Sequence, residues 1–342
     1  MMNIVDASRH THPEPYAETS ARDDVWVPSS CALCYGTCSI LAHRVDGVVV
    51  KIEGNPHSPN NRGMICPKGQ AGVNQVYDPD RILHPMKRVG KRGEGKWKRI
   101  SMDDALDEVA EKLRPIYHSD HPEEFMFHYG RSRIKSLVNH FFADAFGTKT
   151  IGNHTSICEV GKWTGQEIIW GKHYDINDVE HSRFILILGA NPLEAHTSHS
   201  YFAQRIVDGK AGGAKVVTVD VRLSNTAAKS DEWIPIRPGT DAALVLSMCR
   251  VIMEEGLYDE AFITKWTNVT VDELKAHLAP FTPEWAAEET TIPATRIRSL
   301  AIEFATTKPS TVVTYRGYVG HYNGTHNELA AKMLDASFRF WP

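Results

Sequence analysis

Long apolar runs are missing from this sequence. The longest tight one, Phe184-Ile-Leu-Ile-Leu188, has strand length, whereas a membrane helix needs roughly 18–20 apolar residues. No direct membrane span is expected. A charge excess is missing too: 38 Lys and Arg stand against 42 Asp and Glu, mixed along the chain, so nothing argues for a nucleic-acid surface. With 42% hydrophobic and 23% charged residues, disorder and coiled coil are poor readings. The polar N-terminus has no apolar h-region and no Arg-Arg pair, hence no Sec or twin-arginine signal. Residues 1–24 read as a flexible segment. Three arrangements stay open for localisation: a cytoplasmic protein, a true start further upstream, or a partner that carries the export signal. Cysteine is scarce as well. There are six, four of them between positions 31 and 66, and such clustering points to metal or redox chemistry rather than to a disulfide framework.

The spacing is Cys31-x2-Cys34-x3-Cys38-x27-Cys66, followed by Pro67. Three thiolates in one loop can hold three corners of a cubane, and a fourth from a separate segment closes it. Gly36 lets the backbone turn closely around sulfur. Zinc is the rival, but structural zinc sites favour paired C-x2-C or Cys/His spacing. Between Cys38 and Cys66, Asp46-Gly47 separates two β-rich runs and reads as a hairpin turn. Gly54 to Gly63 is a loop by composition.

These motifs occur in a telling order. C-x2-C-x3-C precedes V-D-G-V-V-V-K-I-E-G-N-P-H, then G-M-I-C-P-K-G, then Y-D-P-D-R-I-L-H-P-M-K-R-V-G. Together they strongly resemble the dimethyl-sulfoxide-reductase superfamily of molybdenum or tungsten bis(pterin guanine dinucleotide) enzymes, from about Val25 to about Glu328. The resemblance implies a [4Fe–4S] cluster on Cys31, Cys34, Cys38 and Cys66 within a β-rich domain over 25–85. It also implies an α/β molybdopterin region over 86–342. Lys68 would lie between cluster and pterin and help electron passage; read alone, it is a surface lysine after a Pro turn.

Further on, Ser101 is an N-cap candidate with Asp104 three residues later, opening an amphipathic helix to Leu113. Phe125–Tyr129 reads as a strand, and 136–146 as a helix ended by Gly147. Cys158 precedes another helix, over 165–170 or longer. A thiolate near a helix start suits a soft metal; the bland reading is a small buried cysteine. The resemblance makes Cys158 the protein ligand to the metal. Its Thr-Ser-x-Cys pattern looks like the polysulfide, thiosulfate and arsenate reductase branch, and Glu159 directly after it argues against formate. Cys249 falls in an expected helix and reads as core.

Phe184–Leu188, a helix through Val207, and Lys215–Val219 form a βαβ unit, and phosphates bind beyond the carboxyl ends of such strands. An NAD(P) site lacks support, because Gly189-Ala-Asn-Pro is not followed by G-x-x-G. The resemblance instead assigns the unit to the guanosine part of a pterin dinucleotide, with Gly189, Asn191, Asp220 and Arg222 as contacts. Asp220 would meet ribose or guanine and Arg222 a phosphate. The signature Arg237-Pro-Gly239-Thr240-Asp241 follows, where Asp241 suits a guanine edge and Thr240 or Asp241 also reads as a helix cap. His154, His196 and His199 are plausible neighbours without ligand spacing.

The expected fold is α/β: a small β-rich cluster module followed by α/β dinucleotide-binding-like domains. Thr311–Thr314 reads as a strand, Tyr315 to Gly324 as a loop, and 327–336 as a helix. Relatives of this kind are about twice as long, so the C-terminal part of the family fold is expected to be absent. A fragment, a frameshift and a split subunit are the alternatives. The implied function is two-electron transfer between a substrate at the metal and the cluster, with a sulfur or arsenic oxyanion first among substrates. The implied partners are an iron–sulfur electron-transfer subunit, a membrane anchor subunit, and the missing half of the catalytic subunit. A non-catalytic electron-transfer remnant and a non-redox hydratase are the rival functions. The purified 342-residue chain is expected to bind iron and sulfide but retain little molybdenum or tungsten. Metal analysis checks this, and full occupancy with turnover would overturn it.

Overall fold

The computed structural model describes residues 23–34, 36–130, 143–172, 177–195 and 199–337, without the side chains of 199, 200 and 337. The expectations for residues 1–22, His196 and most of the 136–146 helix lie outside these residues. The described end of that helix, 143–146, is helical and stops at Gly147. The chain divides into two compact units, Met1–Asn153 and His154–Pro342.

The first unit opens with β1 (Asp24–Ser30), β2 (Ser39–Val45) and β3 (Val48–Gly54) in an antiparallel sheet of order β1-β2-β3. Asp46 and Gly47 take φ of 48° and 80°, the doubly left-handed turn that matches strand twist. The loop after β3 returns to the start of β2 through one residue. Asn61 is fully buried. Its Oδ1 accepts from Ser39 N at 3.0 Å, and its Nδ2 donates to Ser39 O at 3.0 Å and to Met64 O at 2.8 Å. Gly54 permits the same approach, since a Cβ there would fall 2.1 Å from Gly63 O. Two short helices follow, α1 (Pro67–Gln70) and α2 (Gly72–Val76), then a hairpin of β4 (Met86–Arg88) and β5 (Trp97–Arg99).

Helix α3 (Met102–Tyr117) begins in a capping box, with Asp104 N donating to Ser101 Oγ at 3.0 Å, and runs past the expected end at Leu113. The strand expected over Phe125–Tyr129 is shorter. Pro122–Glu124 makes a 3₁₀ turn to which Phe125 N donates, so β6 (Phe127–Tyr129) starts two residues later and pairs in parallel with β7 (Ile151–Asn153).

The second unit contains α4 (Val160–Trp170), β8 (Phe184–Leu188), α5 (His199–Ala211), β9 (Lys215–Val219), α6 (Asn225–Lys229) and β10 (Glu232–Ile234). Then come α7 (Asp241–Glu254), α8 (Glu260–Trp266), α9 (Val271–Leu278), α10 (Pro283–Thr290), α11 (Ala294–Thr306), β11 (Ser310–Thr314), α12 (Arg316–Val319) and α13 (Gly324–Ser337). The four strands are parallel, in the order β10-β9-β8-β11. Both faces are covered, which is why β8 is apolar throughout. Phe184, Leu186 and Leu188 enter the core against α7, α10, α11 and α13. Ile185 and Ile187 enter a second core with Phe202 and Ile206 of α5. The strand order reverses between β8 and β11, and ligands favour the crevice beyond the carboxyl ends at such a switch point. The region read as a loop after β11 holds α12.

Among the described residues, no helix is long and apolar enough to cross a membrane. Asn61→Ala would strip partners from Ser39 N, Ser39 O and Met64 O. It is expected to destabilise the first unit by about 2–3 kcal/mol and to lower iron retention; thermal melts and iron analysis check both.

Candidate cluster and cofactor site

In the first unit the cysteines sit at the ends of clamped segments. Cys31 follows β1 and its N–H donates to Cys38 O at 2.9 Å, closing the loop that carries Cys34. Within that loop Gly36 N donates to Cys34 Sγ at 3.3 Å. Cys38 directly precedes Ser39, the residue Asn61 holds, so the clamp also fixes the approach of the segment leading to Cys66. Cys66 is the N-cap of α1, its carbonyl accepting from Gly69 N at 2.9 Å. A Cβ on Gly69 would lie 3.6 Å from Cys31 Sγ and 2.5 Å from Ile65 Cδ1, so α1 approaches the Cys31 thiol through a bare Cα. All four thiols are free of disulfides. Among the described residues, no three His, Cys, Asp or Glu side chains converge tightly enough to hold one ion. A cubane spaces its thiolates more widely than a single zinc ion with its ~2.3 Å bonds to sulfur. Four thiols outside any disulfide, carried on two clamped segments, suit that wider group. Lys68 is exposed on α1, next to Gly69.

In the second unit Cys158 is half-buried between the 3₁₀ turn His154–Ile157 and α4. Its N–H donates to Thr155 O at 3.0 Å. It borders a cavity of about 360 Å³ that Arg316, Gly320, His321 and Tyr322 also line. The cavity lies just past β11, beside the switch point. Helix α4 is held there by the buried Lys162, whose Nζ donates to Thr314 O at 3.0 Å. Small residues bring α4 against α13: a Cβ on Gly161 would lie 3.1 Å from Gly324 C, and one on Gly165 2.7 Å from Glu328 Cβ.

The remaining residues singled out from the sequence follow the carboxyl ends of β8, β9 and β10. Gly189 takes φ +53° directly after β8. A Cβ there would meet Tyr318 N at 2.5 Å, and one on Gly317 would meet Gly189 O at 2.3 Å. Two loops thus touch backbone to backbone at the switch point. Asn191 is engaged within the fold, with Thr226 Oγ1 donating to its Oδ1 and its Nδ2 donating to Glu194. Arg222 pairs with the same Glu194 at 2.9 Å. Glu194 also accepts from Asn225 N at 3.0 Å, and these bonds hold its carboxyl below the usual range. Sequence reasoning missed Glu194 because a turn glutamate carries no pattern of its own.

Asp220 lies close enough to Asp241 to act on its charge. Asp241 is buried at the start of α7, and burial pushes its carboxyl up to about 6, against an opposing pull from its own backbone N–H and then His321, with the smallest push coming from Asp220. Arg237 is exposed, its N–H donating to Thr290 O at 3.0 Å. Gly239 takes φ +81°. The Thr240 side chain does not cap α7 as expected; it donates to Arg237 O at 2.7 Å. Cys249 lies in the core, as read.

Because folded Asp241 keeps its proton where the unfolded chain has released it, native stability falls as pH rises from about 4 to about 6, and the full penalty stands above 6. Asp241→Asn is expected to stabilise the protein by ~3 kcal/mol at pH 8 and to give no gain below pH ~4. Denaturation at the two pH values checks this.

Two family models match. That of the molybdopterin oxidoreductase Fe4S4 domain covers residues 24–78, and that of molybdopterin oxidoreductase covers residues 81–334. The chain is 36% identical to the thiosulfate reductase molybdopterin-containing subunit PhsA of Salmonella typhimurium, over 84% of this chain and 37% of that protein. It is 31% identical to the arsenate respiratory reductase molybdopterin-containing subunit ArrA of a Shewanella species, over 98% and 42%. Among solved structures, acetylene hydratase from Pelobacter acetylenicus superimposes with a TM-score of 0.79 at 28% identity, over 92% of this chain and 44% of that one. The chain therefore spans about two fifths of the length of these relatives. With a cluster domain and a pterin domain matched in the order in which the cysteine module and the parallel sheet occur, the chain belongs to the molybdopterin oxidoreductase family.

Proposed function

We propose that this chain forms part of an oxidoreductase catalytic subunit that exchanges two electrons between a substrate at a pterin-bound molybdenum or tungsten and a [4Fe–4S] cluster. The observation that carries the reading is the cavity beside Cys158 at the switch point of a doubly wound sheet, in a chain that also presents four thiols from two clamped segments. Cys31, Cys34, Cys38 and Cys66 would hold the cluster, and Cys158 the metal. When bound, the metal–pterin group supplies two-electron chemistry and the cluster one-electron steps.

The chain's own residues do the positioning. Lys162 anchors the helix behind Cys158 to β11. Gly189, with Gly317, lets loops close at the switch point without side chains in the way. Asp220 and Asp241 present carboxylates beyond β9 and β10, suited to the N–H donors of a guanine edge. Donors of that kind would offset the cost of burying Asp241. Arg222 would meet a phosphate by exchanging its Glu194 partner, and Gly239 and Thr240 would bring backbone to the ligand. Lys68, exposed beside the cluster loop, would place a positive charge there that favours electron arrival. The relatives named for thiosulfate and arsenate reduction support a sulfur or arsenic oxyanion as substrate, and an iron–sulfur protein as electron partner, with a membrane anchor subunit beyond it. The likeness to acetylene hydratase supports a second reading, in which the metal acts as a Lewis acid without net electron transfer.

The protein isolated anaerobically with its native partners is expected to contain iron, sulfide, pterin and molybdenum or tungsten, and to oxidise reduced viologen with thiosulfate or arsenate. Cys66→Ser should lose most of the iron. Turnover without any electron acceptor or donor would favour the hydratase, and iron with sulfide but no pterin would leave an electron-transfer protein.

A further inference from the structure

Among the described residues, Arg316 brings the permanent positive charge to the Cys158 cavity. Three observations fix what it can do there. Its Nη2 donates to Ile157 O at 3.0 Å, so the guanidinium is tied to the residue next to Cys158. Its Nη1 lies over Gly320, where a Cβ would fall only 1.2 Å away; any side chain at position 320 would displace it. Among the described residues, no Asp or Glu lines the cavity and Arg316 forms no ion pair with a carboxylate. The guanidinium is always protonated and offers five N–H donors in a planar fork. One is used on Ile157, and the others remain for a ligand.

We propose that Arg316 is the specificity-determining residue of this cavity and selects a small oxyanion substrate. The proposal rests on the reading of Cys158 as the metal ligand, because that reading makes the cavity a substrate site. An arginine fork matches an oxyanion through paired, charge-assisted hydrogen bonds, whereas a neutral unsaturated molecule gains nothing from it. The cavity of about 360 Å³ exceeds a tetrahedral oxyanion and leaves room for the group that Cys158 binds. His321 is held away from this role on one side: Gly317 O can only accept, so His321 Nε2 donates to it at 2.8 Å. A phosphate of the pterin dinucleotide has the same recognition chemistry, and the experiment separates the two sources.

Thiosulfate and arsenate are titrated calorimetrically into the anaerobically purified 342-residue chain, with guanosine monophosphate in a parallel arm. Arg316→Gln is expected to weaken both oxyanions at least roughly tenfold while leaving the nucleotide unaffected. Arg316→Lys should recover part of the loss, and Lys265→Gln, an equal charge change at an exposed position of α8, should bind as the parent does. Gly320→Ala should weaken the oxyanions with the arginine still present, and it decides the matter if Arg316→Gln fails to fold by circular dichroism. Absence of saturable oxyanion binding in the parent, or binding indifferent to both substitutions, overturns the proposal. Weakening of the nucleotide alone also overturns it and assigns Arg316 to a cofactor phosphate. Iron and pterin missing from the protein isolated with its native partners, while Arg316-dependent binding persists, would sink the proposed function and leave Arg316 as an oxyanion contact without a metal site beside it.

Discussion

An ammonium group removed from water must be hydrogen-bonded or the fold is penalised heavily, and Lys162 is 4% exposed. Its Nζ meets the Thr314 carbonyl at 3.0 Å and lies 5.8 Å from the centre of the Tyr315 ring. Much of the second unit's site follows from that one contact. Lys162 sits one helical turn after Cys158, so fixing it fixes the turn that presents the thiol. Thr314 ends β11, and the chain beyond it supplies Arg316 and Gly320. The thiol and the guanidinium therefore share a frame built from one buried side chain and one strand end. Gly161 and Gly165 bring α4 directly against α13 beside that frame. Gln166 and Thr314 both donate to Glu328 Oε1, at 2.8 and 3.1 Å, extending the polar layer along the helix pair.

The cluster module uses a different device for the same purpose. Its sheet is small and β1 is exposed along its whole length, so apolar burial contributes little. Asn61 instead satisfies both backbone groups of Ser39 and the carbonyl of Met64. One amide makes three bonds: two link the segment of Cys38 to the segment of Cys66, and the third, to Met64 O, fixes the shape of the latter. A hydrophobic contact of the same size would tolerate sliding by an ångström; a fully used amide does not.

Much of this was legible in the sequence. The hairpin at Asp46-Gly47, the capping box at Ser101 and the buried strand Phe184–Leu188 each follow from local chemistry. The four cysteines stood out because metal chemistry needs that residue type at close spacing. What escaped were residues whose role depends on a distant partner. Asn61 sits in a loop full of polar residues, and only its burial against Ser39 distinguishes it. Glu194 matters through Arg222, Asn191 and Asn225. Arg316 read as one residue of a loop, although its significance lies in Ile157 and Gly320. The shortening of β6 has a local cause, the Pro122 turn, which the apolar run concealed. The side chain of Thr240 turned back to the Arg237 carbonyl, which the Arg237-Pro-Gly239 turn places within hydrogen-bond reach.

Residues that cost the fold something cluster at one end of the sheet. Asp241 is buried with a carboxyl pushed to about 6, and its position lowers stability at neutral pH. Position 320 gives up a side chain so that the Arg316 guanidinium can reach Ile157, next to Cys158. Gly189 adopts a left-handed φ and accepts a backbone contact that no other residue permits. A fold selected for stability alone would relieve each of these: an asparagine at 241, a side chain at 320, a wider loop after β8. Their coincidence at the carboxyl ends of β8 to β11, the edge where a doubly wound sheet receives ligands, is what a bound anionic dinucleotide and its substrate would repay. Perturbed groups gather at functional sites because ligand binding, not folding, compensates them. The strain and the topology therefore point to the same edge by independent routes, one from side-chain energetics and one from strand order.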